Sequence, residues 1–508
     1  MATPQVSASQ VIARQDKLRV WSLPYLYVLI IGIGFLFTFY DIFDINVSFI
    51  QTCLQIVPGC HAPGDAESFL GLPVLWNLIG YVIGALVLSP IADRIGRRDM
   101  LLVTMLITGL GSLATAFVGN YGALDTLFPA GAYTTFIIAR TITGIGIGAD
   151  LAVVNTYINE VSPRTGRARY TSLIFICSGL GAFVGVWLGL ILTTPPGDFP
   201  AGLPFAIAGL PPTQALFGGP GWRIMYIVGA ALALIGILLR IQLPESPRWL
   251  VSRGRLDEAD RVVSKMEARA GKAGGIGAAS ASPEEEIPVQ SDAKAKNPFV
   301  EIITTPRYLA RVIVLLIVWF IAYITVYCIA AGLTSILAVQ LGKAGTPPAA
   351  VGGTAGMVAA IGTIGFVLCG VFAYFFGEKL PRRLWLPIGA ILTIIGGVII
   401  AETISSNIYL AFLGAIILFF GFNIWVPITY AWSTESFPTR ARTTGFGIVD
   451  GIGHVGGGIG LVAISPLLVE MNPLEAMLLI AAFLVVASIV AQFGLPASRG
   501  QRLDVVSP

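Results

Sequence analysis

The sequence predicts an all-α membrane protein of twelve transmembrane helices arranged as two six-helix pseudo-repeats. Three observations carry that prediction. First, 55% of the 508 residues are hydrophobic and only 12% are charged, about half the charge of a soluble domain. Second, Lys and Arg fall almost entirely on one side of the apolar runs. Third, short motifs recur in the same order in the two halves of the chain. The composition excludes a disordered chain, a collagen and a disulfide scaffold. The formal net charge of +3, from 31 basic and 28 acidic residues, gives no reason to expect a nucleic-acid partner.

The predicted spans run, in order, over 24–50, 70–92, 100–119, 131–160, 170–194, 222–243, 308–339, 350–376, 384–401, 408–436, 443–468 and 474–495. Several exceed the roughly 20 apolar residues a bilayer requires, and these tilt or project beyond it. No signal-peptide pattern precedes the first. Basic residues cluster after even-numbered spans and in both tails: Arg14, Lys17, Arg19; Arg94, Arg97, Arg98; Arg164, Arg167, Arg169; residues 244–307; Lys379, Arg382, Arg383; Arg440, Arg442; Arg499, Arg502. The opposite loops hold Lys343 alone, with Arg223 just inside span six. The positive-inside rule then places both termini in the cytoplasm of a multi-pass protein of the plasma membrane, a bacterial inner membrane.

The expected division is a cytoplasmic tail at 1–22, a six-helix bundle at 23–243, a cytoplasmic loop at 244–307, a second bundle at 308–495 and a tail at 496–508. Within the loop, Leu256, Ala259, Val263 and Met266 recur at helical spacing and predict a short amphipathic helix. Residues 271–298 read as disordered low complexity. Cys53 and Cys60, together in the first external loop, are either a disulfide or two free thiols. Nothing has metal-ligand spacing, and neither a metal nor a cofactor is expected.

Asp93-Arg94-Ile95-Gly96-Arg97-Arg98 after span two matches Glu378-Lys379-Leu380-Pro381-Arg382-Arg383 after span eight. Glu160-Val161-Ser162-Pro163, with Arg167 beyond, matches Glu435-Ser436-Phe437-Pro438 with Arg442 beyond. Leu243-Pro244-Glu245-Ser246 matches Leu495-Pro496-Ala497-Ser498. Parallel repeats of this kind rock about a central site, the design of alternating access.

These motifs resemble a known family. The stretch from Gly84 to Arg98, GALVLSPIADRIGRR, is similar to the loop-2/3 signature of the major facilitator superfamily. Pro244-Glu245-Ser246-Pro247-Arg248-Trp249-Leu250 resembles the signature of its sugar-porter branch, as does Arg140 with Gly144, Gly146, Gly148, Glu160 and Pro163. Tyr40-Asp41-Ile42-Phe43-Asp44 is similar to the first span of metabolite:proton symporters. The resemblance covers residues 20–500 or so and implies the major facilitator fold, functional as a monomer. It also implies that a first-span aspartate pairs with Arg140, and it favours Asp41 in that role. The sugar-binding glutamines of spans five and seven are absent: SLIFICSGLGAF and WFIAYITVYCIAAG contain none. That argues against a hexose. His454 stands where relatives often have arginine.

Asp41 and Asp44 share a helix face and, with Arg140, form either a proton carrier or a structural ion pair. Asp450 and His454 share a face of span eleven and suit proton transfer or anion contact, or a plain interhelical hydrogen bond. Asp150 reads as a packing contact or a cytoplasmic-side charge. Gly84, Asp93, Arg94, Gly96, Arg97 and Arg98, with Glu160, Arg167, Glu245, Arg248, Glu378, Arg382, Arg383, Glu435 and Arg442, form an expected cytoplasmic gate. Asp93 is placed to dock on a neighbouring helix N-terminus. Candidate substrate contacts are Asn155, Ser178, Tyr323, Tyr327, Asn423, Trp425, Thr429 and Tyr430.

The glycine run at 144–148 lacks a preceding strand and reads as close helix packing rather than a nucleotide site. No Walker motif or nucleophile–base constellation occurs, so neither ATP nor enzyme catalysis is expected. The expected function is proton-coupled symport of a small organic metabolite, with a lean to a carboxylate or other polar solute over hexose. A uniporter, an exporter or exchanger, and a non-transporting solute receptor are the alternatives.

Overall fold

Twelve helices among the described residues are long and apolar enough to cross a membrane: Leu26–Phe43, Ala66–Ile95, Arg97–Ala116, Ala132–Val161, Arg167–Thr193, Gly221–Arg240, Pro306–Ala330, Ala350–Phe376, Arg382–Thr403, Ile408–Glu435, Thr439–Ile464 and Pro473–Val490. They are spans one to twelve below. The computed structural model describes residues 7–18, 25–61, 65–119, 131–162, 167–207, 221–272, 297–499, 501 and 503–507, and these contain no strand. Arg19, Pro163, Arg164, Arg502 and the stretch 273–296 of the expected disordered segment lie outside them.

Four spans that read as continuous are interrupted. Span one stops at Phe43 and a second helix, Ile45–Ile56, starts beyond Asp44. Span seven ends at Ala330 and resumes as Leu333–Lys343 beyond Gly332. Span ten divides into Ile408–Asn423 and Val426–Glu435, with Pro427 in the first turn of the second piece, where its missing N–H leaves no bond unmade. Span eleven passes from α-helix into a π-helical turn at Gly460–Ile464 before Ser465–Glu470. Hydropathy continues through each break, so apolar pattern alone does not reveal it. Irregular backbone at membrane depth survives only where protein covers it.

Spans two and four are joined by glycines. A Cβ on Gly80 would strike the carbonyl of Thr141, one on Gly84 that of Ile145, one on Gly144 that of Asn77, and one on Gly148 that of Tyr81. The backbones therefore touch, as small-residue interfaces in membranes allow. Span two also packs against span eleven, and span five against span eight, which brings the two halves into contact.

The segment after span six holds more structure than one amphipathic helix. Pro247–Ser252, Leu256–Lys272 and Pro298–Thr304 are all helical. The N-terminal tail adds Ala8–Lys17, capped by Ser7. Its Val11 and Ile12 pack on Trp249, Leu250, Ala259 and Val263. Arg14 pairs with Asp260 and Glu267, and Asp16 with Arg248 at 2.5 Å. The charges around Arg14 hold its guanidinium above its ordinary pKa.

Candidate functional site

Span one ends against span four at a group of charges. Arg140 Nη1 donates to Asp41 Oδ2 at 3.1 Å, and Arg140 Nη2 donates to the Asp41 carbonyl at 2.8 Å. Ser112 Oγ of span three donates to the other oxygen of Asp41 at 2.9 Å. Asp44 Oδ1 lies 3.8 Å from Arg140 Nη2. Neither oxygen of Asp44 accepts a hydrogen bond among the described residues, although the residue is fully buried. The Arg140 guanidinium stands over the Tyr226 ring at 5.2 Å. Asn77 of span two donates to the Arg140 carbonyl at 2.6 Å. One guanidinium thus serves two carboxyls at the break in span one. A small cavity lies beside it, lined by Ile42, Ile45, Val74, Asn77, Arg140, Tyr327 and Ala331. Both halves contribute to its wall.

Toward the middle of the second half, Asp450 accepts the hydroxyl of Tyr323 at 2.6 Å and that of Tyr81 from the first half. His454 Nδ1 donates to the Asp450 carbonyl at 2.7 Å. The His454 ring lies 3.8 Å from both Tyr81 and Tyr323 and 5.7 Å from Tyr327. Tyr430 shares a 2.8 Å hydrogen bond with Tyr323 and stacks on Trp319. Phe39, Phe43, Phe175 and Phe366 continue the aromatic wall across the halves. Of the expected substrate contacts, Tyr327 lines the cavity, and Tyr323 and Tyr430 belong to the aromatic cluster. Asn155, Ser178 and Asn423 bond carbonyls of their own helices. Trp425 and Thr429 are buried, and their donors have no partner among the described residues.

Asp150, expected as a packing contact or a cytoplasmic-side charge, is a buried interhelical contact and a second ion pair. Arg240 of span six grips both its oxygens, and Thr104 and Thr38 add hydroxyls at 2.7 and 3.2 Å.

At the end that carries the tail helices Ala8–Lys17 and Leu503–Val506, the expected gate residues form two related clusters. Arg97 reaches Asp93 at 2.9 Å, Glu160 at 3.1 Å and the Thr439 carbonyl at 2.9 Å. Arg442 reaches Glu160 at 3.3 Å, and Ser246 donates to it at 2.7 Å. Asp93 caps the helix that begins at Arg442, accepting Thr444 N–H at 2.9 Å and its hydroxyl at 2.6 Å. The second half repeats the pattern. Arg382 bonds Glu435 at 3.2 Å, Arg167 approaches Glu435 at 3.9 Å, and Ser498 donates to it at 2.5 Å. Glu378 accepts Ala168 N–H at 2.9 Å at the start of span five. Each half's glutamate is therefore held by one arginine of its own half and one of the other.

Glu245 accepts the backbone N–H groups of Ser246, Arg97 and Arg98 at 2.7, 3.1 and 3.2 Å, and burial pushes its carboxyl above the ordinary range. It sits against Gly96, whose φ of 121° favours glycine. Arg94 and Arg383 are exposed and stand apart from this layer. Arg98 donates to the Ile241 carbonyl, and Arg248 turns to the tail. Cys53 and Cys60 at the opposite end are bonded to each other.

Several members of the site lie outside the sequence expectation: Asn46, Asn77, Tyr81, Ser112, Tyr226, Arg240 and Thr444. The four-residue spacing of Asn77 and Tyr81 on span two was the one available signal. At the disulfide end, Asn46 donates to the Ala330 carbonyl and accepts the Thr334 hydroxyl. Trp187 donates to the Ala360 carbonyl at 3.1 Å. With both ends bridged, Asp41 and Arg140 are each only 2% exposed.

This architecture, twelve spans in two related halves around a buried polar centre, is that of a major facilitator transporter. The fold superposes on a proton:xylose symporter solved with 6-bromo-6-deoxy-D-glucose, with a TM-score of 0.69 and 19% identity over 95% of this chain and 98% of that one. Residues 27–508 match the model of the sugar (and other) transporter family, and the chain belongs to that family, whose members are transporters rather than enzymes. Relatives include the niacin transporter of Acinetobacter baylyi, 24% identical over 97% of this chain and 99% of its own length. The glucose transporter of Staphylococcus epidermidis is 28% identical over 86% and 87%. The 4-hydroxybenzoate transporter of Acinetobacter baylyi is 27% identical over 78% and 76%.

Proposed function

We propose that this transporter is a proton-coupled symporter that moves a small polar organic metabolite across the plasma membrane by alternating access. The observation that carries the reading is the single guanidinium of Arg140 shared by Asp41 and Asp44 at a break in span one. A carboxylate bonded to a buried arginine is stable as an anion, and it takes a proton when that bond is lost. Protonating Asp41 would release Arg140 and loosen span one from span four. The layer of Arg97, Glu160, Arg442, Arg382, Glu435 and Arg167 is the cytoplasmic gate in this reading, and the end bearing both tails faces the cytoplasm. Asp450 and His454 assist coupling from span eleven. The chain acts as a monomer, without ATP.

A carboxylate or other polar solute is favoured over a hexose. Spans five and seven lack the glutamines of sugar porters and span seven carries Tyr323 and Tyr327 instead, and niacin and 4-hydroxybenzoate transporters stand among the relatives.

The test uses purified protein in liposomes loaded with a pH-sensitive dye, with sugars, aromatic and aliphatic acids, and amines added outside. Lumenal acidification with one class, lost in Asp41→Asn, supports symport. Solute uptake with no proton movement replaces it with a uniporter.

A further inference from the structure

We infer that Arg307 and Arg311, at the start of span seven, form a binding site for a phosphate group, and that a phosphate bound there displaces the tail residues around Val506 and loosens the layer at Glu435. The ligand is not the transported solute. The inference goes beyond the transport reading and holds whether or not protons are coupled.

Two guanidiniums converge on one oxygen. Arg307 Nη2 and Arg311 Nη2 each donate to the Val506 carbonyl at 3.0 Å. Arg311 Nη1 donates to the Ser436 carbonyl at 2.7 Å and to the Ser507 hydroxyl at 3.0 Å. All three acceptors are neutral. Glu301, on the helix just before, is held by Arg440 at 2.5 Å, and no carboxylate among the described residues lies in ion-pair range of Arg307 or Arg311. Arg311 is nevertheless only 5% exposed. Buried arginines ordinarily face an anion, and here a peptide oxygen holds that place. Two guanidiniums aimed at one point match a phosphate, which offers several charged oxygens to forked donors.

The surroundings favour a lipid as the source of that phosphate. Arg307 is exposed, so the fork is open on one side. Phe299, Val300 and Ile303 of the helix Pro298–Thr304, and Leu309 in span seven, are exposed as well. Basic side chains among exposed apolar ones at the end of a span lie at the level of lipid headgroups.

The tail that fills the fork also ties the two halves together. Ser507 Oγ donates to the Glu435 carbonyl at 2.8 Å, and Arg167 of the first half donates to the Gln501 carbonyl at 3.0 Å. Leu503, Val506 and Ser507 are buried. A phosphate brings full charge where the Val506 carbonyl brings a dipole, so it makes the stronger bonds to both arginines. Once Val506 is released, Ser507 and Gln501 lose their anchor. Arg167, whose Nε and Nη2 have no acceptor among the described residues, then keeps only its approach to Glu435 at 3.9 Å. The layer opens more readily.

The test places the full chain in lipid nanodiscs, where reagent reaches both faces. Cys177, Cys328 and Cys369 are replaced by serine, and Val506→Cys is the reporter. Val506 is 4% exposed, so its thiol is shielded while the tail is docked. Phosphatidylglycerol in place of phosphatidylcholine, whose phosphate is already paired with its own choline, is expected to speed reaction with a water-soluble maleimide about tenfold. Arg307→Gln should remove that response; Arg307 is exposed, so its loss leaves the core intact. Phosphatidylglycerol should also stay with the purified protein, be lost in Arg307→Gln with Arg311→Gln, and be kept when residues 501–508 are removed. Faster labelling with inorganic phosphate in phosphatidylcholine discs would assign the site to the free ion, and faster labelling with phosphatidylglycerol alone assigns it to lipid. Equal labelling under all these conditions overturns the inference. So does a lipid response that persists in Arg307→Gln, or lipid retention that disappears with the tail.

Discussion

Asn46 and Thr334 meet where two broken helices face each other. The Asn46 amide donates to the carbonyl of Ala330, the last residue before the interruption of span seven, and its oxygen accepts the hydroxyl of Thr334 just after it. A side chain of the first half thus satisfies backbone freed in the second, two positions beyond Asp44. Replacing Asn46 with Ala leaves a buried carbonyl and hydroxyl unpaired, a loss of about 1–3 kcal/mol for each such group. The disulfide end should open more often. An Ile42→Cys reporter in the cavity wall, in a chain lacking Cys177, Cys328 and Cys369, should react about tenfold faster with a water-soluble maleimide. An unchanged rate would show that Asn46 does not hold this end shut.

The opposite end depends on shared arginines. Arg97→Lys keeps the charge, but a single ammonium cannot reproduce the fan of bonds to Asp93, Glu160 and the Thr439 carbonyl. Transport should fall about tenfold or more, with the tail-bearing end open to labelling. Arg97→Ala with Arg442→Ala strips Glu160 of both cations and should be the most damaging pair. Full activity in Arg97→Lys would show that charge alone suffices.

Asp150 and Arg240 make a sharper energetic case. Removing one partner of a buried pair costs about 3–5 kcal/mol, whereas replacing both by apolar groups is often neutral. Asp150→Ala or Arg240→Ala alone should lower the melting temperature markedly. Asp150→Leu with Arg240→Met should recover most of the loss, and transport should follow stability. If the double variant stays folded but does not transport, the pair has a functional role.

Glu245 supplies a pH signature. Its folded-state value lies above the ordinary 4.5 because burial disfavours the anion. The folded protein therefore binds this proton more readily than the unfolded chain. Its contribution to stability is greatest below the ordinary value and is lost as pH rises through the raised one. Glu245→Gln should remove that slope from the melting temperature measured across the acidic range. An identical slope in the variant would assign it to another group.

Much of this molecule could be read from its residues, for reasons that differ by place. The spans declare themselves by sustained hydropathy, and the Asp41–Arg140 pairing by the cost of stranding either charge in a bilayer. That Glu160, Arg167, Glu435 and Arg442 share one layer was visible because the motifs occur twice, whereas the crossing of each arginine to the other half's glutamate was not. The breaks at Asp44 and Gly332 were not, since apolar side chains continue across them and only tertiary contacts support the open backbone. The partner of Asp150 was not legible, because Arg240 reads as an ordinary basic residue at the end of a span. The tail helix buries only two apolar side chains, Val11 and Ile12, too few to set a period. Asn46 has no local signature, because its importance comes from a carbonyl 284 positions away.

The exchange of arginines between halves also bears on how the chain is made. Glu160 leaves the ribosome 282 positions ahead of Arg442, so for most of synthesis only Arg97 attends it. Glu435 emerges with Arg167 already in place. The first bundle can thus assemble around its own arginine and wait, while the second is completed against a finished template. Lesions at Arg97 should therefore harm biogenesis earlier than lesions at Arg442, although both arginines clasp the same carboxylate.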